Sequence, residues 1–174
     1  MARLPYADAG APALRPLVER IVAGRGSVLH LYQMLLHSPP VADGWLTLLS
    51  AVRQRTRVPG RLRELVIMRI AILNRAPYEA DQHAPIALRE GVTPEQIDAL
   101  DEWVSSDRFD AVERAVLALA DAMTGEVQVP EACLEAVRRH FEDAVVVELV
   151  ATIAAYNMVS RFLEALAIHS DDAR

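Results

Sequence analysis

The sequence predicts an all-α protein. Apolar residues recur three or four positions apart in nearly every segment of the 174 residues. No run of four or more residues shows the strict apolar–polar alternation of a half-buried strand. Prolines and glycines fall between the periodic segments, where one helix ends and the next begins. We therefore expect a single helical domain over residues 1–174, whose core the 52% of apolar residues can supply.

Nine helices are predicted, and local chemistry marks several of their boundaries. The prolines of the segment 38–40 separate the second helix from the third. Thr93 has the character of an N-cap, with Pro94 at the first helical position and Gln96 as its capping-box partner. Gly91 stands where the fifth helix should stop. The predicted ranges are 11–23, 27–37, 41–55, 60–74, 78–90, 94–103, 107–124, 130–140 and 144–169.

The fourth helix is apolar around most of its circumference, with residues such as Leu65 and Ile67 on different sides. A helix without a polar face is typical of a buried central position, so Glu64 and Arg69 need partners inside the protein. At about 100° per residue these two side chains point about 140° apart, whereas Glu64 shares a stripe with Arg75. We expect Glu64 and Arg69 to face different surroundings.

The fifth helix carries the candidate acid–base pair. Glu79 and His83 are four residues apart, so their side chains share one helical face and can form a hydrogen bond that fixes the imidazole tautomer. Pro85 removes a backbone donor just after His83, which favours a kink or a free carbonyl there. The alternative is a surface ion pair of little energetic weight. In the last helix, Arg161 lies on a polar stripe with Asn157.

Composition excludes several functions. A net charge of −6 and an aromatic content of only 5% argue against nucleic acid as a partner. The first residues lack a basic segment followed by an apolar run, so we expect a cytoplasmic location. The apolar stretch 144–159 contains Glu148 and is shorter than a bilayer requires, which indicates a core helix and no membrane. Glycine-rich phosphate loops are missing from the sequence, and no cofactor is expected.

Cysteine and histidine spacing exclude two further kinds of chemistry. Cys133 is the only cysteine, so a Cys-x-x-Cys redox pair and an intramolecular disulfide are impossible, and we expect a buried structural thiol. No second histidine stands at helical spacing from His83, so no metal site is expected, although Glu64, Glu79 and His83 together have cation-binding chemistry.

Three segments carry a resemblance to a known family. They are residues 63–65, which open the buried helix with Glu64, residues 74–91 with Tyr78, Glu79 and His83, and the run 91–97 that follows. With these segments the chain resembles the carboxymuconolactone decarboxylase and alkylhydroperoxidase D-like superfamily over about residues 60–125. Weaker similarity lies in residues 35–39 and around Asn157 in the last helix.

The resemblance implies a helical fold and a site related to a proton relay. In the redox branch of that superfamily, a glutamate and a histidine relay protons to two cysteines. When this chain is aligned on Glu64 and His83, the two cysteine positions hold Ala76 and Glu79. Tyr78 stands where the redox branch has a further histidine. This departure argues against thiol peroxidase activity and favours the decarboxylase-like branch. That branch implies a homo-oligomer, a trimer or a hexamer, with the site near a subunit boundary.

These observations predict acid–base catalysis on a small carboxylated or lactone-type molecule. We expect His83 to transfer the proton and Glu64 or Glu79 to orient the His83 ring. Tyr78 is expected to donate a hydrogen bond to a developing oxyanion. For the substrate carboxylate the first choice is Arg75, and Arg69 and Arg161 are the alternatives. Two other functions stay open: a peroxidase-related antioxidant protein, and a non-catalytic oligomeric ligand-binding protein in which these residues form a structural network.

Overall fold

A computed structural model describes residues 1–126 and 128–172, and every regular element within them is helical. A short 3-10 helix, Pro12–Leu14, precedes nine α-helices. They are α1 (Arg15–Arg25), α2 (His30–Leu35), α3 (Pro39–Gln54), α4 (Gly60–Leu73), α5 (Pro77–Arg89), α6 (Pro94–Ala99), α7 (Ala111–Gly125), α8 (Glu131–Arg138) and α9 (Asp143–Leu166).

The all-α prediction is confirmed, and each predicted helix corresponds to one of α1–α9. The capping box before α6 is confirmed as well, because Gln96 N donates to Thr93 Oγ1 at 3.2 Å and Thr93 N donates to Gln96 Oε1 at 3.3 Å. Three predicted ends differ from the structure by four residues: the starts of the first and seventh helices and the end of the sixth. Asp110 is the N-cap of α7, and its carboxylate accepts from the backbone of Glu113 at 2.8 Å.

Helix α4 is buried on nearly all sides, as predicted. Leu65, Val66, Ile67 and Ile70 have no exposed surface. Each such side chain contributes about 1.5–3 kcal/mol relative to an exposed position. The helix packs against α5 and α7. A helix in this position holds the side chains that project from it in fixed places, including the charged residue Glu64.

Arg69 and Glu64 face different surroundings, as the sequence predicts. The Arg69 guanidinium donates to both carboxylate oxygens of Asp121, at 2.7 and 3.0 Å, and to the carbonyls of Leu100 and Asp101. Trp103 Nε1 donates to the same carboxylate at 3.0 Å. This buried cation is therefore satisfied by a structural cluster of its own.

The placement of Arg75 on the Glu64 stripe is wrong. Helix α4 ends at Leu73, and Asn74 is its C-cap. Arg75 adopts a left-handed backbone conformation with φ of 53°, and its side chain is exposed. A residue beyond the helix end no longer follows the rotation of about 100° per residue, so the stripe does not reach it.

The chain divides into two compact units. One comprises Met1–Arg55 together with the chain from Leu163 onward, and the other comprises Thr56–Phe162. In the first unit, His30 is buried, its ring stacks on Tyr6, and its Nδ1 lies 3.0 Å from the carbonyl of His169. The second unit contains α4–α8 and every candidate site residue. The single-domain organisation stays a prediction.

Helix α9 is long and apolar enough to cross a membrane by length and composition, and no other helix in the described residues passes this test. Half of its most apolar window is buried inside the protein. That burial fits the core helix expected from the sequence, and the absence of a membrane partner stays a prediction.

Candidate functional site

The centre of the candidate site is a hydrogen bond between Glu64 of α4 and His83 of α5. Glu64 Oε2 lies 2.7 Å from His83 Nδ1. Glu64 has no exposed surface and His83 has 7%. The tight turn at Arg75 and the first residue of α5, Pro77, return the chain so that the two helices pack together. Two ionisable groups therefore share a place from which water is largely excluded.

Glu64 is held in its charged form. Burial is the largest single influence and acts to raise the pKa of this carboxyl, but the hydrogen bonds and positive charges of His83 and Arg63 together lower it. Arg63 Nε donates to the second oxygen, Oε1, at 2.9 Å. An ionised carboxylate has no hydrogen to give, so His83 Nδ1 donates to it.

Glu79 lies one turn before His83 on α5 and is also buried. Its Oε2 lies 2.6 Å from the hydroxyl of Ser160 on α9. One turn earlier on α9, the ring of Tyr156 meets the His83 ring edge to face, with centroids 5.0 Å apart. Helices α4, α5 and α9 thus bring Glu64, His83 and Glu79 into one region. A direct hydrogen bond between Glu79 and His83 stays a prediction.

The other predicted site residues lie in different surroundings. Tyr78 is buried beside Glu79 at the start of α5. Arg75 lies on the exposed turn before that helix. Arg161 Nη1 donates to Asn157 Oδ1 at 2.6 Å and to the Asn157 carbonyl at 3.1 Å. Arg161 is therefore held in place by its own helix, whereas Arg75 projects from the turn.

A polar cluster around Asn157 was not predicted as part of the site. Asn74 Nδ2 donates to Asn157 Oδ1 at 3.0 Å, and Asn157 Nδ2 donates to Thr124 Oγ1 at 2.9 Å. The cluster joins the ends of α4 and α7 to α9. The signal in the sequence is a set of polar residues, including Ser160, within the otherwise apolar last helix.

Cys133 lies on α8 and is partly exposed. The expectation of a buried thiol is therefore wrong. Helix α8 is short, and among its residues only Val137 is buried, so the rest of the helix lies at the protein surface. The thiol is on a different helix from Glu64, Glu79 and His83.

Metal binding has no obvious donor set in the described part of the chain. No three His, Cys, Asp or Glu side chains within residues 1–126 and 128–172 are arranged to hold an ion. Both oxygens of Glu64 already accept hydrogen bonds from His83 and Arg63. The metal-free and cofactor-free site stays a prediction.

Known proteins resemble the chain in sequence and in fold. Residues 39–122 match the model of the Carboxymuconolactone decarboxylase family. The uncharacterized protein YdfG of Bacillus subtilis (strain 168) is 30% identical over 101 residues, which are 57% of this chain and 69% of that protein.

Solved structures share the fold at low identity. An alkylhydroperoxidase AhpD core, an uncharacterized peroxidase-related protein from Ralstonia eutropha JMP134, superposes with a TM-score of 0.82 at 20% identity, covering 98% of this chain and 93% of that one. A cysteine-to-alanine variant of the debrominase Bmp8 in complex with 2,3,4-tribromopyrrole gives a TM-score of 0.79 at 22% identity, with coverages of 95% and 90%.

Proposed function

The chain belongs to the carboxymuconolactone decarboxylase family, and from that premise we propose that it is an enzyme of cofactor-free acid–base chemistry. Its substrate is a small carboxylated or lactone-type molecule. The observation that carries the proposal is the buried 2.7 Å hydrogen bond between Glu64 and His83. A charged carboxylate enclosed beside an imidazole is costly to bury, and such pairs are concentrated at functional sites.

The pair is arranged for proton transfer at His83 Nε2. Glu64 accepts the hydrogen of Nδ1, which fixes both the tautomer and the direction of the ring. The same carboxylate stabilises the positive charge that the ring acquires when Nε2 takes up a proton. Arg63 binds the other carboxylate oxygen and keeps Glu64 from rotating away. Proton transfer of this kind contributes about 10²–10⁴-fold to a rate.

Decarboxylation of an unsaturated lactone acid gives each group a role. The bond between the ring carbon and the carboxylate breaks, carbon dioxide leaves, and the electron pair moves into the conjugated carbonyl as a dienolate. Tyr78 donates a hydrogen bond to the dienolate oxygen. Protonated His83 then delivers its Nε2 proton to carbon and takes another from water. No oxidant or reductant is consumed.

The substrate carboxylate needs a cation. Arg161 supports this role better than Arg75, because Asn157 already fixes one edge of its guanidinium. The opposite edge, formed by Nε and Nη2, matches a carboxylate with two parallel hydrogen bonds. Both side chains are exposed, and Arg75, which lies outside any helix, is the second choice.

The test is an assay of carbon dioxide release from a panel of unsaturated lactone acids, starting with carboxymuconolactone. Purified wild type is compared with His83→Ala, Glu64→Gln and the surface control His140→Ala. We expect the first two variants to lose at least about 100-fold in kcat and the control to match wild type. Equal turnover by His83→Ala and wild type, with both folded by circular dichroism, would overturn the proposal.

A peroxidase-related function is the second candidate. It is favoured by the similarity in fold to the Ralstonia structure, which is that of an uncharacterized peroxidase-related protein. A thiol route would have to use Cys133, which lies on α8 rather than on α4, α5 or α9. Thiol-dependent consumption of peroxide by wild type, abolished in Cys133→Ser, would establish this function. A non-catalytic role would instead leave His83→Ala with unchanged ligand affinity and only a lower Tm.

We also propose a cytoplasmic homo-oligomer, a trimer or a hexamer, without nucleic-acid or membrane partners. Support comes from an exposed apolar face on α9 that contains Val147, Ala151, Ala154 and Met158. Exposed apolar patches of this kind mark interaction surfaces. Light scattering on wild type and Val147→Asp tests it: a smaller mass for the variant supports the assembly, and a wild-type monomer contradicts it.

A further inference from the structure

We propose that Ser160 is a positioning residue that supports Glu79 in both of its protonation states, so that Glu79 acts as a second proton-transfer group. The inference rests on the acid–base function proposed above. Ser160 has no exposed surface, and its Oγ makes two close contacts. One is to Glu79 Oε2 at 2.6 Å, and the other is to the backbone carbonyl of Tyr156 at 2.9 Å.

Ser160 cannot donate a full hydrogen bond to both partners at once. A hydroxyl carries one hydrogen and can also accept. When Glu79 is ionised, Ser160 donates to Oε2, and a distance of 2.6 Å is typical of a hydroxyl on a carboxylate. When Glu79 is protonated, the carboxyl donates to Oγ and Ser160 turns its own hydrogen to the carbonyl of Tyr156.

Both arrangements leave Ser160 Oγ, Glu79 Oε2 and the carbonyl of Tyr156 with a partner. The carbonyl of Tyr156 accepts the helical N–H of Ser160 in either state, so it loses little when the hydroxyl turns away. A buried carboxylate without a donor, or a buried carboxylic acid without an acceptor, would cost free energy. Ser160 therefore lets Glu79 release and regain a proton by rotation of one hydroxyl, with no movement of either helix.

The group that gains and loses the proton in this proposal is Glu79 rather than Glu64, because the neighbours of Glu64 are charged. On α4, Glu64 has Arg63 and His83 against its two oxygens, and these partners keep it ionised. On α9, the hydroxyl of Ser160 meets Glu79 Oε2 and can serve either form of the carboxyl. On α5 itself, His83 lies one turn further along. Two carboxyl groups in different surroundings are the usual basis for separate acid and base roles.

After carbon dioxide has left, protonated Glu79 gives its hydrogen to the dienolate oxygen and becomes a carboxylate. The Ser160 hydroxyl rotates from Tyr156 to Glu79 and keeps its own hydrogen throughout. When His83 protonates carbon, the substrate oxygen returns its hydrogen to Glu79, so the substrate gains one proton in all. Ser160 thus touches Glu79 only and is not itself a catalytic residue.

The experiment measures the protonation of Glu79 in the resting enzyme, so it needs no substrate. Carboxyl carbon resonances of glutamate-labelled protein are followed against pH in wild type, Ser160→Ala and Ser160→Thr. Glu79→Gln identifies the Glu79 signal by its loss. Thr152→Ala is the matched control, because Thr152 is also buried on α9 and its Oγ1 donates to the carbonyl of Glu148 at 2.7 Å.

In Ser160→Ala we expect the midpoint of the Glu79 titration to rise by about one pH unit, because a lost hydrogen bond weakens the charged form most. Ser160→Thr should restore the wild-type midpoint, and Thr152→Ala should leave it unchanged. An unmoved midpoint in Ser160→Ala, or an equal shift in Thr152→Ala, would overturn the inference. Neither result touches the proposed activity, whose own test is turnover by His83→Ala.

Discussion

Glu64 and His83 are 19 residues apart in sequence, yet the carboxylate oxygen Oε2 of one lies 2.7 Å from the ring nitrogen Nδ1 of the other. The pair connects α4 to α5 across the turn at Arg75. Because both side chains come from packed helices, their relative orientation depends on the core rather than on a mobile loop. Anything that changes the charge of Glu64 should therefore affect both stability and turnover.

The first prediction concerns pH. The pKa of folded Glu64 lies below its ordinary value of 4.5, because His83 and Arg63 outweigh the effect of burial. The unfolded chain binds this proton more readily, so the stabilisation is complete above pH 4.5 and is lost as pH falls through the folded value. We expect Glu64→Gln to be less stable than wild type by about 1–3 kcal/mol at neutral pH.

Urea denaturation of both proteins over a range of pH checks this. The difference in unfolding free energy should shrink at pH values below 4.5, because the unfolded wild-type chain then binds a proton at Glu64 that the folded protein binds only at lower pH. A difference that stays constant down to strongly acidic pH would contradict the assigned ion pair.

The fold was largely predictable because its helices are marked by local chemistry. Thr93 and Gln96 form the predicted capping box, and the apolar circumference of α4 identifies the buried helix. The errors are also local. Asp110 fixes the start of α7 through its own side chain, and Arg75 leaves the helical path through a left-handed backbone conformation that periodicity does not report.

The site was predictable only in part. Helical spacing placed Glu79 and His83 on one face of α5, but the partner of His83 Nδ1 is Glu64 on another helix. The contact of Ser160 with Glu79 spans 81 residues of sequence, and no periodic pattern links such distant positions. Contacts of this kind depend on how helices pack, which a single sequence does not specify.

The second prediction concerns the buried cation of α4. Arg69→Met should destabilise the protein by about 3–5 kcal/mol, because Asp121 keeps a charge that has lost its bidentate partner. Arg20→Met is the control, since Arg20 and its partner Asp43 are both about half exposed, and its cost should be at most about 1 kcal/mol. Similar urea midpoints for the two variants would show that Arg69 is not a structural cation.

The third prediction concerns the thiol. Cys133→Ser should keep wild-type turnover of the lactone acid substrate, because the acid–base mechanism uses no sulfur. Since the side chain is partly exposed on α8, the variant should also lose less than about 1 kcal/mol of stability. Steady-state kinetics and thermal melting check both statements. A drop in kcat without a change in Tm would assign chemistry to the thiol and contradict the mechanism.

The fourth prediction separates substrate binding from stability in the cluster around Asn157. Asn157→Leu removes the acceptor that holds Arg161, so we expect KM to rise about 10-fold, equivalent to about 1.4 kcal/mol of binding, with kcat little changed. Arg161→Gln should raise KM at least as much. Asn157→Leu should also lower stability by about 1–3 kcal/mol, because Asn74 and Thr124 lose their partner.

Asn74→Ala is the matched control for this cluster. It removes the hydrogen bond from Asn74 Nδ2 to Asn157 Oδ1 but leaves the contact between Asn157 and Arg161 in place. We therefore expect this variant to be less stable than wild type with an unchanged KM. If Asn74→Ala raised KM as much as Asn157→Leu does, the effect would come from general loosening of α9, and Arg161 would lose its assignment as the carboxylate-binding residue.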